Sequence, residues 1–222
     1  MIVLNQSPSV QSAFARQVNQ KISTSRAFAR KSFGKGFVGS IASGFLFDIN
    51  QFFRKLAGNL GENSVSIALS TLPDSWVMFN SAVIPAKSSK NLTEIDHLII
   101  GLVGIFLVEV KTWKGSYRVE RDKWKRREGE NWIENNSNPS SQSAYHRKSF
   151  VKWISSQFPD LSDDAIFAPV VLTIAERVEI NECKIPVLLG ANALLEMLLN
   201  SPPRLTPEQV QQVARSVSLM AV

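Results

Sequence analysis

The sequence predicts an α/β fold: a mixed central β-sheet of four to six strands flanked by helices, preceded by a basic N-terminal extension that is helical or flexible. Three observations predict it. Residues 95–101 and 104–110 are apolar, β-prone runs joined by a short turn bracketed by Gly101 and Gly104, which is the pattern of a β-hairpin. Asn138-Pro139 and Thr206-Pro207 each put a capping side chain just before a proline, the usual opening of a helix. Residues 168–174 and 185–189 are β-branched runs between those helix entries, consistent with buried strands.

The 222 residues suffice for one sizeable domain with an appendage. The division expected is an extension over 1–57 and a domain over 58–222. Apolar residues make up 44% and charged residues 20%, ordinary for a soluble globular chain. A lone cysteine, Cys183, excludes an intramolecular disulfide and a cysteine-rich zinc site, and His97 and His146 are too few for a histidine-rich one. One thiol suits a reducing compartment, so a cytoplasmic location is expected.

The net charge of +6 is unevenly spread. Residues 1–60 hold eight Lys/Arg against Asp48 alone, and residues 111–127 hold eight basic groups against two acidic ones. Such local excess favours an anionic partner, with a phosphate backbone the leading candidate. A solvated surface is the competing explanation.

Taken in order, residues 1–35 contain six Lys/Arg, no acid and few large apolar side chains. A basic arm on nucleic acid, a targeting segment and a helix that docks on the domain all fit this stretch. The uncharged run 36–47 is too short to span a bilayer. Its phenylalanines, with Phe52 and Phe53, are explained more simply by packing than by membrane association. Apolar residues then recur at Phe52, Phe53, Leu56 and Leu60, and at Val65, Leu69 and Leu72. This is helical spacing, and it predicts one helix to about Ala57 and another over about 61–71. Glu62 would sit in the first turn of the second, where the helix dipole favours a carboxylate regardless of function. A strand over 76–84 and a polar loop follow.

The hairpin is where the chemistry concentrates. With an even turn on Leu102-Val103, Ile100 pairs with Ile105, Leu98 with Leu107, and Asp96 with Glu109. Side chains alternate along a strand, so Glu109, Lys111 and Asp96 share a face. Directly opposed residues have Cβ atoms roughly 4.5–5.5 Å apart. Two carboxylates that close among Ile, Leu and Val need a shared proton or a cation. Mg²⁺ or Mn²⁺ is the economical choice, with Lys111 as an adjacent electrostatic group. The ordinary alternative leaves both acids at strand ends in water and pairs Lys111 with Glu94. Leu102-Val103 is poor chemistry for a two-residue turn, so the positive φ falls to Gly101 or Gly104. His97 points away from Asp96 in this register and reads as structural.

Beyond the hairpin, residues 116–119 begin a short strand. Residues 120–138 are charged and carry Trp124 and Trp132. Basic side chains interleaved with aromatics suit nucleic acid, which makes Lys114, Arg118, Lys123, Lys125, Arg126 and Arg127 candidate contacts. Each Trp fits a core position equally well. The helix from Asn138 to about Phe158 puts Gln142 and His146 four residues apart on one face. Helices over about 191–200 and 207–219 close the chain. Gly34-x-Gly36-x-x-Gly39 has a dinucleotide fingerprint's spacing but no preceding strand, so it is set aside.

Glu-Ile-Asp-His-Leu-Ile-Ile-Gly at 94–101 and Gly-Ile-Phe-Leu-Val-Glu-Val-Lys-Thr-Trp-Lys-Gly at 104–115 resemble the core of the nuclease-related domain (NERD) family of the PD-(D/E)XK nuclease superfamily. Gly61-Glu62 with Val65, Leu69 and Leu72-Pro73 resembles the family's entry helix, and Asn138-Pro139, Gln142 and His146 its later segment. The resemblance spans about 58–190. Leu102-Val103 departs from the Pro-Asn common at the family's turn. The resemblance implies a restriction-endonuclease-like core and a metal-dependent nuclease, with DNA the leading substrate. Asp96, Glu109 and the carbonyl of Val110 would hold Mg²⁺ or Mn²⁺. Lys111 would stabilise the nucleophile or the developing charge, and Glu62 would reach the metal directly or through water. Gln142 would orient water or phosphate, and His146 would contact the scissile phosphate. The rival reading is a catalytically silent nucleic-acid-binding or interaction module on the same scaffold.

Overall fold

The structure is a computed structural model that describes residues 1–32, 65–87 and 91–220, with side chains to residue 21 in the first stretch. Glu62, the phenylalanine-rich run and the helix expected to end near Ala57 lie outside the described residues.

The elements in chain order are β1 (Ile2–Leu4), α1 (Pro8–Ser32), a helical segment at 65–69, β2 (Val77–Pro85), β3 (Leu92–Gly101), β4 (Gly104–Lys111), β5 (Gly115–Glu120), β6 (Lys123–Glu128), β7 (Asn131–Glu134), α2 (Pro139–Ser155), a 3₁₀ turn at Asp163–Ala165, β8 (Ile166–Phe167), β9 (Val170–Leu172), β10 (Ala175–Asn181), β11 (Val187–Leu189), α3 (Gly190–Asn200) and α4 (Pro207–Ser218). The central sheet runs β1-β2-β3-β4-β9-β11, with β8 also on β4. β2, β3 and β4 are antiparallel, and β1, β8, β9 and β11 add in parallel. The fold is therefore the mixed, helix-flanked sheet that the sequence predicts. It has seven strands because the three-residue β1 and the two-residue β8 join it.

β3 and β4 are buried along almost their whole length, which is why they read as continuous apolar runs rather than alternating ones. Leu98, Ile100, Ile105 and Leu107 pack against Phe150 and Ile154 of α2 and Val213 and Val217 of α4. Ile99, Phe106 and Val108 face the other way, onto Val65, Leu69 and Leu194 and Leu198 of α3. Helices thus cover both faces at the level of the hairpin.

The caps act where the sequence places them. Asn138 accepts from Ser141 N at 3.0 Å to open α2. Thr206 and Gln209 exchange side-chain and backbone bonds in a capping box at α4. The hairpin turn is even, with Gly101 opposite Gly104. Gly104 alone of the two takes a positive φ, 142°. A side chain at Gly101 would run into the Trp76 ring, and one at Gly104 would meet the Ala165 carbonyl at 2.6 Å. The Leu102 carbonyl accepts from Arg204 N and Leu205 N, both at 2.8 Å. The turn is thus held from outside by the approach to α4, which compensates for its poor local chemistry.

A second sheet, β10-β5-β6-β7, follows the hairpin. Its inner face carries Tyr117, Val119 and Trp124, packed on Val170, Leu172 and Val187. Arg121 and Asp122, both at positive φ (49° and 62°), form the two-residue turn between β5 and β6 that matches strand twist.

Candidate active site

The β3–β4 ladder has the register read from the sequence: Ile100 opposite Ile105, Leu98 opposite Leu107 and His97 opposite Val108. The ladder ends there, and one step further the same register would set Asp96 across from Glu109. On its opposite edge β4 pairs with β9, Glu109 with Val170 and Lys111 with Leu172. The site lies where the β3–β4 ladder ends while the β4–β9 ladder continues.

Asp96, Glu109, Lys111 and His146 are 5%, 2%, 3% and 4% exposed. Lys111 Nζ lies 2.5 Å from Glu109 Oε1 and donates to Gln142 Oε1 at 3.2 Å. Glu109 Oε2 is 3.6 Å from His146 Nδ1. Asp96 Oδ2 accepts from the Val110 N–H at 2.8 Å. The alternative with both acids in water is overturned: the acids are buried, and Lys111 turns back onto Glu109 of its own strand. α2 completes the cluster because Gln142 and His146, one turn apart, face β4. The helix is fastened by Ser143, whose hydroxyl donates to the Ala168 carbonyl, and by Arg147, which donates to the Ile166 carbonyl at 2.8 Å.

Two carboxylates lie buried with one ammonium and with His146 beside Glu109. Such a pair needs a shared proton or a bound cation. Glu109 N bonds to the Pro169 carbonyl and the Lys111 carbonyl accepts from Thr173 N. The main-chain groups of Val110 therefore point the opposite way, toward β3, where its N–H meets Asp96. Its carbonyl shares that edge. Carboxylate and carbonyl oxygens are the donors that Mg²⁺ and Mn²⁺ prefer, and Mg²⁺ usually keeps several waters besides. The residues present fit such an ion, with Asp96, Glu109 and the Val110 carbonyl the donors. No group of three or more His, Cys, Asp or Glu side chains suited to a metal occurs among the described residues. Glu62 lies outside them.

His97 keeps its structural reading: it is buried and bonded through Nδ1 to Asn80 Oδ1 at 2.8 Å. Trp124 is a core residue, its Nε1 donating to Ser140 Oγ at 2.8 Å. Of the basic candidates, Arg118 is 2.7 Å from Glu179 and stacks 4.4 Å over the Trp132 ring. Its hydrogen bond holds the Glu179 carboxyl below the usual range. Lys125 pairs with Glu120 at 3.4 Å, and Arg126 pairs with Glu128. Lys114, Lys123 and Arg127 are exposed. The local positive excess is thus partly neutralised by acids from β10 and from the strands themselves. Those partners are distant in sequence, apart from Glu120 and Glu128.

Sequence reasoning missed Ser81, which adopts a positive φ (50°) opposite Asp96. Nothing in Asn80-Ser81-Ala82 signals it. No helix among the described residues is long and apolar enough to cross a membrane.

The family model described as nuclease-related domain matches residues 57–173, a little over half of the chain. That span includes Asp96, Glu109, Lys111, Gln142 and His146. No curated protein and no solved structure matches the chain.

Proposed function

The chain belongs to the nuclease-related domain family, and on that premise we propose that it is a metal-dependent phosphodiesterase acting on nucleic acid, with DNA the leading substrate. The observation that carries this reading is the Lys111 ammonium, held between Glu109 and Gln142 at the buried end of β4 beside Asp96. Asp96, Glu109 and the Val110 carbonyl would hold Mg²⁺ or Mn²⁺. Such an ion, when bound, supplies a lowered pKa for water and charge neutralisation at phosphate. Lys111 acts as a fixed cation toward the charge that develops on the phosphoryl oxygens. Gln142 orients that ammonium through its carbonyl oxygen, leaving its amide N–H free to meet water or phosphate. His146, on the far side of Glu109, would donate toward the scissile phosphate. The exposed Lys114, Lys123 and Arg127 lie downstream of the site and would meet the phosphate backbone.

The test is cleavage of labelled linear and circular DNA with Mg²⁺ or Mn²⁺ by wild type, Asp96→Ala and Lys111→Ala. Metal-dependent cutting by wild type alone is expected, with losses of roughly 10²–10³-fold or more in Lys111→Ala, the scale of removing one preorganised charge-stabilising group. Cutting that persists in both variants refutes the residue assignment. Salt-sensitive DNA binding without any cutting would favour the silent module.

A further inference from the structure

Strand β2 is distorted where it faces the site. Asn80 pairs with His97 and Ala82 with Ile95, so Ser81 stands opposite Asp96. Its φ of 50° is rare for a residue with a side chain. The apolar phase changes across it. Val77 and Phe79 belong to the core under α2, and beyond Ser81 that core continues with Ala82 and Ile84. The phase switches from odd to even positions while the register against β3 stays unbroken, because β3 switches at the same level, from Ile95 to Leu98 and Ile100. A carboxylate at this double switch leaves the regular alternation, and that of Asp96 turns to the Val110 N–H on the next strand.

The first twenty residues hold this switch, and they lie outside the segment that matches the family. β1 pairs with β2 only as far as Leu4 opposite Phe79. Two glutamines continue the pairing along the same edge. Gln11 Nε2 donates to the Ser81 carbonyl at 3.2 Å. Gln6 Oε1 accepts from Val83 N at 2.7 Å, and its Nε2 donates to the Val83 carbonyl at 2.8 Å. A glutamine side chain carries the same donor and acceptor as a peptide group, so each stands in for a missing strand. Gln17 makes the same reciprocal pair with Leu92, at 2.7 and 2.9 Å, at the far end of β3.

We infer that Gln6 and Gln11 are positioning residues of the candidate active site: by holding β2 through the switch at Ser81, they set where the Asp96 carboxylate lies. Its functional importance rests on the proposed role of Asp96 as a metal ligand. The geometry itself does not.

The Val110 amide reports it without metal or substrate, since its N–H ends on Asp96. Hydrogen exchange at that amide, followed by NMR in the full chain and referenced to the Leu98 amide, is measured in wild type, Gln6→Ala, Gln11→Ala, Gln17→Ala and Asp96→Ala. Asp96→Ala sets the upper limit. Gln6→Ala and Gln11→Ala are expected to speed Val110 exchange by roughly 2- to 10-fold, the scale of one weakened hydrogen bond. Gln17→Ala, an equal clamp elsewhere, leaves the referenced rate unchanged. Ser81→Gly added to Gln11→Ala restores it, because glycine takes the positive φ without being held. Unchanged exchange in Gln6→Ala and Gln11→Ala, or an equal rise in Gln17→Ala, overturns the inference. The same variants should need more Mg²⁺ for half-maximal cleavage, by a similar factor. A wild type that cuts nothing while Val110 responds as expected refutes the nuclease reading and leaves the positioning intact.

Discussion

Lys111 at the end of β4 and Arg118 within β5 are seven residues apart, and each is held against a glutamate. Lys111 Nζ is 2.5 Å from Glu109, with the two side chains 3% and 2% exposed. Arg118 is 2.7 Å from Glu179, with side chains 38% and 30% exposed. The distances are alike and the consequences are not. Water can replace a lost partner around Arg118 and salt screens the pair, so it contributes little to stability. Nothing replaces Glu109 for Lys111. Burial, rather than distance, separates a cluster able to tune chemistry from a ladder of charge that keeps a sheet soluble.

The largest break in that comparison is Glu109→Ala. It leaves the Lys111 ammonium buried with only Gln142 of its two bonded partners. Removing one member of a buried pair destabilises by about 3–5 kcal/mol. Glu109→Gln, which keeps an acceptor at the same place, should lose less while abolishing cutting just as fully. Urea denaturation of the two variants checks the difference. Equal stability losses would mean that the pair is better hydrated than its burial implies.

The second test concerns the exposed cations. Lys123 and Arg127 have no ion pair among the described residues, whereas Arg126 is paired with Glu128. If each of the first two meets a phosphate, the double change to alanine lowers the slope of log affinity against log salt by roughly 0.9 per contact. Arg126→Ala lowers it less, because its charge is already partly spent. DNA titrations over a range of salt read both. An equal effect from Arg126 would show that the ladder opens when nucleic acid arrives.

The same contrast explains what could be read from the chain. The hairpin was legible because its register follows from an even turn and an alternation of two, and its apolar runs leave no competing element. The starts of α2 and α4 were legible because Asn138, Pro139, Thr206 and Pro207 act locally; α2 ends at Ser155, short of the expected Phe158. β6 and β7 were not. Lys-Trp-Lys-Arg-Arg-Glu shows no apolar alternation, since one face of its sheet is charged and its order comes from cross-strand partners. β10 joins that sheet through parallel pairing with β5, a contact that no local pattern encodes. β1 is three residues long with Ile2 and Val3 exposed. At the site, the shared face of Glu109 and Lys111 could be derived from spacing, whereas Asp96 leaves the alternation to bond the Val110 N–H. The burial of the three could not be derived, because it depends on α2 docking with Gln142 and His146 inward. Ser81 and its glutamine clamps depend on a tertiary contact across some seventy residues, and left no signal at all.

The smallest effect should come from Glu179. Its carboxyl is held below the ordinary value of 4.5, first by the hydrogen bond from Arg118 and also by the charges of Arg118, Arg177 and Arg127. A group whose folded value is depressed stabilises the fold fully above its unfolded value, and that contribution is lost as pH falls through the folded one. Glu179→Gln should therefore leave stability near pH 7 only slightly changed, and should flatten the acid limb of the stability curve below about 4.5. Thermal melts between neutral and strongly acidic pH measure this. A large loss at neutral pH would mean that the pair on the second sheet behaves like the one at Lys111, with the Trp132 ring and Arg118 together excluding the water on which the distinction depends.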